Sequence, residues 1–229
     1  MRKIVVILIA VAVAVVGGSW FYIKVIEGDA PAKLTVDSSS KENADTTNTT
    51  AAAADDGTND GTWKATGDSV VGYRVKETLF GASAEAVGRT SAVTGSIAIT
   101  GTQVLEGNFT VDMTKVSSDR SQRDGQFQGR IMNTSQFPTA TFKLTSPIDL
   151  KGTPAIDNTV NTSATGNLTL HGVTKKVTFD VVAKRVQGGI RVNGSIPIHF
   201  SDYSINNPSG GPASVGDDGT LEFTIVFSR

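Results

Sequence analysis

Apolar and polar residues alternate with a period of two along most of the chain after residue 60. The alternation is clearest in residues 109–113, 177–181, 196–200 and 221–227, and similar runs recur about every ten to fifteen residues. A strand with one buried and one solvated face produces this period. Turn-forming pairs such as Gly188-Gly189 separate the runs. The pattern therefore predicts an all-β fold, an antiparallel closed barrel of about eight strands over residues 61–229.

One stretch, residues 121–132, departs from the strand period. Phe127 and Ile131 have helical spacing, and Gly125 and Gly129 weaken the helical pattern. We expect a short helix or turn here that caps one end of the barrel. Alternation alone does not distinguish between two kinds of barrel interior: one that is filled by its own side chains and one that holds a small ligand.

A run of uncharged, mostly apolar residues occupies positions 4–23, directly after Arg2-Lys3. As a helix it would be about 30 Å long, which matches a bilayer core. The preceding positive charges favour a cytoplasmic N-terminus, and the aromatic residues 20–22 suit the opposite interface. The run predicts a cytoplasmic N-terminus (residues 1–3), a single-pass signal-anchor helix in the plasma membrane (residues 4–23) and an extracytoplasmic remainder.

A cleaved signal peptide is the alternative for this run, and it would make the protein secreted. The apolar run is longer than the apolar region of a signal peptide, and the nearest small-residue site, Ala30-Pro31-Ala32, follows a charged stretch. We therefore favour the uncleaved anchor.

Residues 24–60 are expected to form a disordered polar linker. From Leu34 to Asp60 the chain is rich in Ser, Thr, Asn, Asp and Ala, with six acidic residues against one lysine. Such a stretch buries too little apolar surface to offset its ordering entropy.

Composition narrows the chemistry of the chain. It contains no cysteine, which excludes a thiol nucleophile, a thiolate metal site and a lipid-modified cysteine. Residues 61–229 carry 16 basic and 14 acidic residues without a basic cluster, so no nucleic-acid partner is predicted. His171 falls in a predicted turn and His199 on an outward strand position, and no catalytic or metal motif is present. We expect a protein that is not an enzyme and holds no metal or cofactor.

Three stretches of the chain resemble one known family. Residues 116–142 contain the pair Arg123-Asp124 and a run from Phe137-Pro138 to Phe142; residues 166–182 read GNLTLHGVTKKVTFDVV; residues 200–214 precede the last strand. Together they resemble the YceI-like family, a lipocalin-like group associated with the binding of polyisoprenoids and other long-chain lipids. The resemblance covers nearly all of residues 62–229.

The resemblance implies a barrel with a tunnel for a long apolar chain, bound without covalent attachment. Arg123 and Asp124 then either meet a polar head at the mouth of the pocket or form a local ion pair or helix cap. The expected wall residues, each of which could instead fill a packed core, are Phe109, Val111, Phe142, Leu144, Leu170, Phe179, Val181, Phe223 and Ile225.

The predicted function is that of a membrane-tethered extracytoplasmic binding protein for an apolar, polyisoprenoid-like lipid. The alternative is a non-catalytic structural or stress-response surface domain with a filled core. The two differ in the volume of the interior cavity. The sequence leaves open the identity of the lipid and whether the domain forms a homodimer.

Overall fold

The computed structural model describes residues 30–38, 58–152, 154–210 and 213–229. The predicted anchor over residues 4–23 lies outside the described residues, and among the described residues no helix is long and apolar enough to cross a membrane. The described strands are β1 (Gly61–Ala65), β2 (Val70–Leu79), β3 (Ala82–Thr90), β4 (Val93–Thr100), β5 (Gln103–Asp112), β6 (Ser117–Ser118), β7 (Thr139–Leu144), β8 (Ile148–Asp149), β9 (Thr159–Leu170), β10 (Val173–Val186), β11 (Gly189–His199), β12 (Ala213–Val215) and β13 (Asp218–Ser228).

Eight antiparallel strands close into a barrel in the order β1-β4-β5-β7-β9-β10-β11-β13, and β13 pairs back with β1. β2 continues β1 along the same edge of β13, and β3 pairs with β2 as β4 pairs with β1. β1 and β2 thus form one long, interrupted strand, and β3 and β4 form a second one beside it. The predicted all-β antiparallel closed barrel of eight strands is confirmed.

The connections divide the barrel into two ends. The β2–β3 turn, the β9–β10 turn and the segments 113–138 and 200–217 lie at one end, which we call the mouth. The β4–β5 and β10–β11 turns and the start of β1 lie at the other, which we call the closed end. At the mouth, helix α1 (Ser121–Gln126) continues into a π-helical turn, Phe127–Ile131, and confirms the predicted short helix.

Several interior rings lie over glycines of the neighbouring strand. Gly194 is the register partner of Phe223, and a Cβ atom added at Gly194 would lie 2.6 Å from the Phe223 ring. An added Cβ at Gly166 would lie 2.3 Å from the ring of Phe142. A glycine lets the ring of a neighbouring strand rest on the backbone. These rings therefore lie against the barrel wall and leave more of its centre free.

A tryptophan fills the closed end. Trp63 is 1% exposed, and its indole N–H donates to the carbonyl oxygen of Asn59 at 2.8 Å. The guanidinium carbons of Arg185 and Arg229 each lie 4.7 Å from the centre of the Trp63 rings, a cation–π arrangement. Ile97, Val104, Leu150, Ile190 and Phe227 belong to the same apolar cluster. This cluster separates the interior from solvent at the closed end.

Residues 30–38, which we call the strap, lie against the outer face of the barrel. Carbonyl oxygens of the strap accept hydrogen bonds from Arg74, Arg89, Arg191 and Thr224. For residues 30–38 this contact differs from the disordered linker that composition predicts over residues 24–60, whereas residues 24–29 and 39–57 lie outside the described residues. The donors are side chains of distant strands, which local composition does not reveal.

Candidate ligand-binding cavity

A cavity of about 480 Å³ extends along the inside of the barrel. Its deep end is lined by Ile97, Val104 and Leu150, and its outer end by Phe80 and Arg120 at the mouth. The volume is within the range of pockets that enclose small ligands. The barrel interior therefore contains a cavity and is not completely filled by its own side chains.

All nine side chains that the sequence singled out as walls line this cavity. Three of them form an aromatic group halfway along it. Phe179 meets Phe142 edge to face at 5.4 Å between ring centres, and it meets Phe223 in the same manner at 5.8 Å. Edge-to-face pairs fix the orientation of each ring. The walls are thus preformed, and contact between these nine residues and a lipid stays a prediction.

Besides the predicted Arg123, the mouth contains residues that were not assigned to it from sequence. Tyr73 of β2 stacks on Phe127 with ring centres 4.9 Å apart and planes 12° from parallel. Burial raises the pKa of Tyr73 to about 12, although the nearby guanidinium of Arg123 opposes the shift. The phenol therefore stays neutral at physiological pH. Further wall residues that the sequence analysis missed are Val75, Leu79, Phe80, Met113, Val116, Ile131, Met132, Phe200 and Ile205.

The two predicted mouth residues have different roles. Arg123 lines the cavity, forms an ion pair with Asp119 and lies 3.6 Å from the carboxylate of Glu77. Asp124 does not line the cavity; its carboxylate accepts hydrogen bonds from the backbone N–H and the hydroxyl of Ser118, at 2.8 and 2.7 Å. Arg123 is therefore at the mouth and also in a local ion pair. Asp124 holds the connection between β6 and α1.

The mouth also carries polar side chains without a role in the sequence prediction. Gln122 and Gln126 of α1 line it beside Arg123. Arg130, which follows α1, donates to the carbonyl oxygen of Pro208 at 2.7 Å and so connects the helical segment to the loop before β12. One rim of the opening is therefore polar and held in place by a hydrogen bond.

Neither histidine lines the cavity. His171 has a left-handed backbone (φ 50°) in the β9–β10 turn, and its Nδ1 lies 3.1 Å from the carbonyl oxygen of Tyr203. His199 is exposed, and its hydrogen bond to Asp218, 2.7 Å long, raises the pKa of the imidazole. Within the described ranges, no group of three or more His, Asp and Glu side chains could hold a metal ion. The apolar cavity is the candidate site.

The family model for the YceI-like domain matches residues 63–227, most of the chain. The chain belongs to the YceI-like family. A UPF0312 protein of Pseudomonas aeruginosa is 35% identical over 114 residues, which cover 46% of this chain and 54% of that protein. The chain spans about half the length of the curated relatives it matches.

Solved structures share the fold of this YceI-like chain. A polyisoprenoid binding domain from Saccharophagus degradans superposes with a TM-score of 0.60 and 18% identity, covering 73% of this chain and 98% of that one. BcnA from Burkholderia cenocepacia superposes with a TM-score of 0.55 and 19% identity, covering 69% of this chain and 95% of BcnA. At these identities the similarity shows a common barrel.

Proposed function

We propose that this YceI-like protein is a non-catalytic binding protein for a long-chain apolar lipid of the polyisoprenoid type, tethered to the extracytoplasmic side of the plasma membrane. The observation that carries the proposal is the continuous apolar cavity of about 480 Å³ inside the barrel. A domain with a filled core, the alternative left open by the sequence, would not contain it.

The chemistry of the walls favours an apolar chain over a polar ligand. Aliphatic and aromatic side chains line the cavity between its deep end and the mouth. Each CH₂ group that leaves water contributes about 0.8 kcal/mol, and this contribution needs no directional partner. Such a cavity discriminates by the length and bulk of the chain. The polar side chains at the mouth, among them Gln122 and Arg123, would lie beside the polar head of the lipid.

Two further observations support the proposal. The Saccharophagus degradans domain with the same fold is a polyisoprenoid binding domain. The uncharged run at residues 4–23, preceded by Arg2-Lys3, supports the membrane tether and the extracytoplasmic position.

Two variants at adjacent positions of β9 test lipid binding. Ala164 is buried and lines the cavity, whereas Ser163 is exposed on the outer face. Ala164→Phe places a ring inside the cavity, and Ser163→Phe places the same ring in solvent. After exposure of the full chain to a bacterial lipid extract, we expect native mass spectrometry to show bound lipid in the natural protein and in Ser163→Phe. We expect Ala164→Phe to lose most of the bound lipid.

Thermal unfolding of both variants serves as the folding control. Equal lipid retention by two folded variants would mean that the lipid binds outside the barrel. Absence of lipid from the natural protein under the same conditions would contradict the proposed function.

A further inference from the structure

Five hydrogen bonds fasten the strap to five strands of the barrel. The carbonyl oxygens of Pro31 and Ala32 accept from Arg74 (2.7 Å) and from Arg89. Farther along the strap, the carbonyl oxygen of Thr35 accepts from the hydroxyl of Thr224 at 2.8 Å. Asp37 accepts from Arg191 through its carbonyl oxygen (2.9 Å) and from Lys184 through its carboxylate (3.1 Å). Leu34 and Val36 are half-buried in between.

The barrel presents a prearranged surface to the strap. The carboxylate of Glu222 lies 3.3 Å from Nε of Arg74 and 2.7 Å from a terminal nitrogen of Arg89. Arg74 is also paired with Glu85 at 2.6 Å. Arg74 and Glu222 are 7% and 5% exposed, so their geometry is fixed by burial. Buried donors that lose a partner destabilise the folded state. The docked strap is therefore part of the folded domain.

Strand register gives the direction of the strap. Arg74, which binds the N-terminal end of the strap, is opposite Thr220, close to the end of β13 at the mouth. Arg191, which binds the other end, is opposite Val226, close to the end of β13 at the closed end. The strap therefore begins toward the mouth and ends toward the closed end.

The chain between the predicted anchor and the strap is short. Residues 24–29 separate them, and seven residue steps from Ile23 to Ala30 span at most about 25 Å. A free linker over residues 24–60 would instead connect the anchor to β1, which starts at the closed end. That linker would have a mean span of about 35 Å. Docking of the strap thus moves the point of attachment from the closed end toward the mouth.

We propose that the strap holds the barrel with its mouth toward the bilayer of the predicted anchor, so that the rim of the mouth is an interaction surface for that lipid surface. This inference rests on the membrane tether of the proposed function. Phe80, at the β2–β3 turn, lines the mouth and is 53% exposed, which suits contact with lipid. Two other large apolar side chains, Leu105 and Ile156, are also exposed, but they lie away from the mouth. Because exposed apolar side chains are not confined to the rim, we assign the orientation of the barrel to the strap and not to the rim.

Site-specific labels on the full chain test the direction. Because the chain has no cysteine, Ser83→Cys beside the mouth and Thr102→Cys at the closed end each provide a unique, exposed thiol. Each variant is reconstituted into phospholipid vesicles, labelled from outside with a fluorophore, and quenched by lipids with a spin-labelled headgroup. We expect severalfold stronger quenching of the label at position 83. Equal quenching, or stronger quenching at position 102, would overturn the orientation.

A pair of strap variants shows whether the strap sets the direction. Leu34→Asp/Val36→Asp adds two charges to the half-buried side of the strap, and Ala30→Asp/Ala32→Asp adds two charges at exposed positions. We expect the first pair to remove the difference between the two labels and the second to preserve it. An unchanged difference in both pairs would overturn the role of the strap.

The outcomes separate this inference from the proposed function. Retained lipid binding in native mass spectrometry together with equal quenching rejects only the orientation. Failure of the full chain to float with the vesicles rejects the tether and the orientation together.

Discussion

Two glycines of the barrel strands should respond in opposite ways to the same substitution. A Cβ atom added at Gly194 would lie 2.6 Å from the Phe223 ring and 3.0 Å from the carbonyl oxygen of Asp180. A Cβ atom added at Gly107, which lines the cavity, would have no neighbour closer than 3.4 Å. Gly194→Ala therefore forces the Phe223 ring off the wall, whereas Gly107→Ala fits in place.

The expected magnitudes follow from these distances. Overpacking a well-packed site costs about 1–3 kcal/mol, and in a domain of this size 1 kcal/mol shifts Tm by about 2–4 °C. Gly194→Ala should therefore lower Tm by several degrees. Gly107→Ala should leave Tm unchanged or raise it slightly, because alanine is less flexible than glycine in the unfolded chain.

Thermal unfolding followed by circular dichroism measures both variants. Binding of an apolar fluorescent probe measures the cavity, and we expect weaker binding only in Gly194→Ala because the displaced ring enters the lumen. Equal Tm values and equal probe binding for the two variants would refute the idea that glycines keep the rings against the wall.

Three further predictions concern polar contacts. Glu222→Gln should destabilise the domain by about 3 kcal/mol in denaturant unfolding, because it leaves the buried guanidinium of Arg74 and the half-buried guanidinium of Arg89 without their shared carboxylate; an unchanged midpoint would contradict this. The hydrogen bond to Asp218 raises the pKa of His199 in the folded state. The bond therefore stabilises the fold fully at pH values below 6.5, the ordinary pKa of histidine, and this stabilisation is lost as the pH rises through the pKa of the folded state. Asp218→Asn should therefore lower the pKa of His199 measured by NMR, and an unchanged value would disprove the assigned cause. In an absorbance titration, Tyr73 should ionise near pH 12, and Phe127→Ala should lower that value by admitting water; titration near 10 in the unaltered protein would contradict the described burial.

The regular part of the barrel could be predicted from sequence because strand alternation reports which face is buried. Phe179 and Val181 of β10, for example, share one face and both line the cavity. Whether that face contacts a ligand or other side chains depends on which aromatic rings lie over glycines of the neighbouring strand. That information lies in strand register, and a single sequence does not contain it.

The mouth was harder to predict because its residues come from irregular segments. Tyr73 and Phe127 are 54 positions apart in sequence and stack only after the helical segment folds over the barrel. The strap escaped prediction for a related reason. Four of its five hydrogen bonds to the barrel use backbone carbonyl oxygens, which every residue has, so its own sequence carries little signal for docking.

Photo-crosslinking with a long-chain isoprenoid alcohol that carries a diazirine on its tail tests the central claim most directly. We expect adducts on inward residues of β10 and β13, such as Phe179 and Phe223, and none on their outward neighbours. Adducts confined to the outer surface of the barrel would contradict a lipid-binding interior.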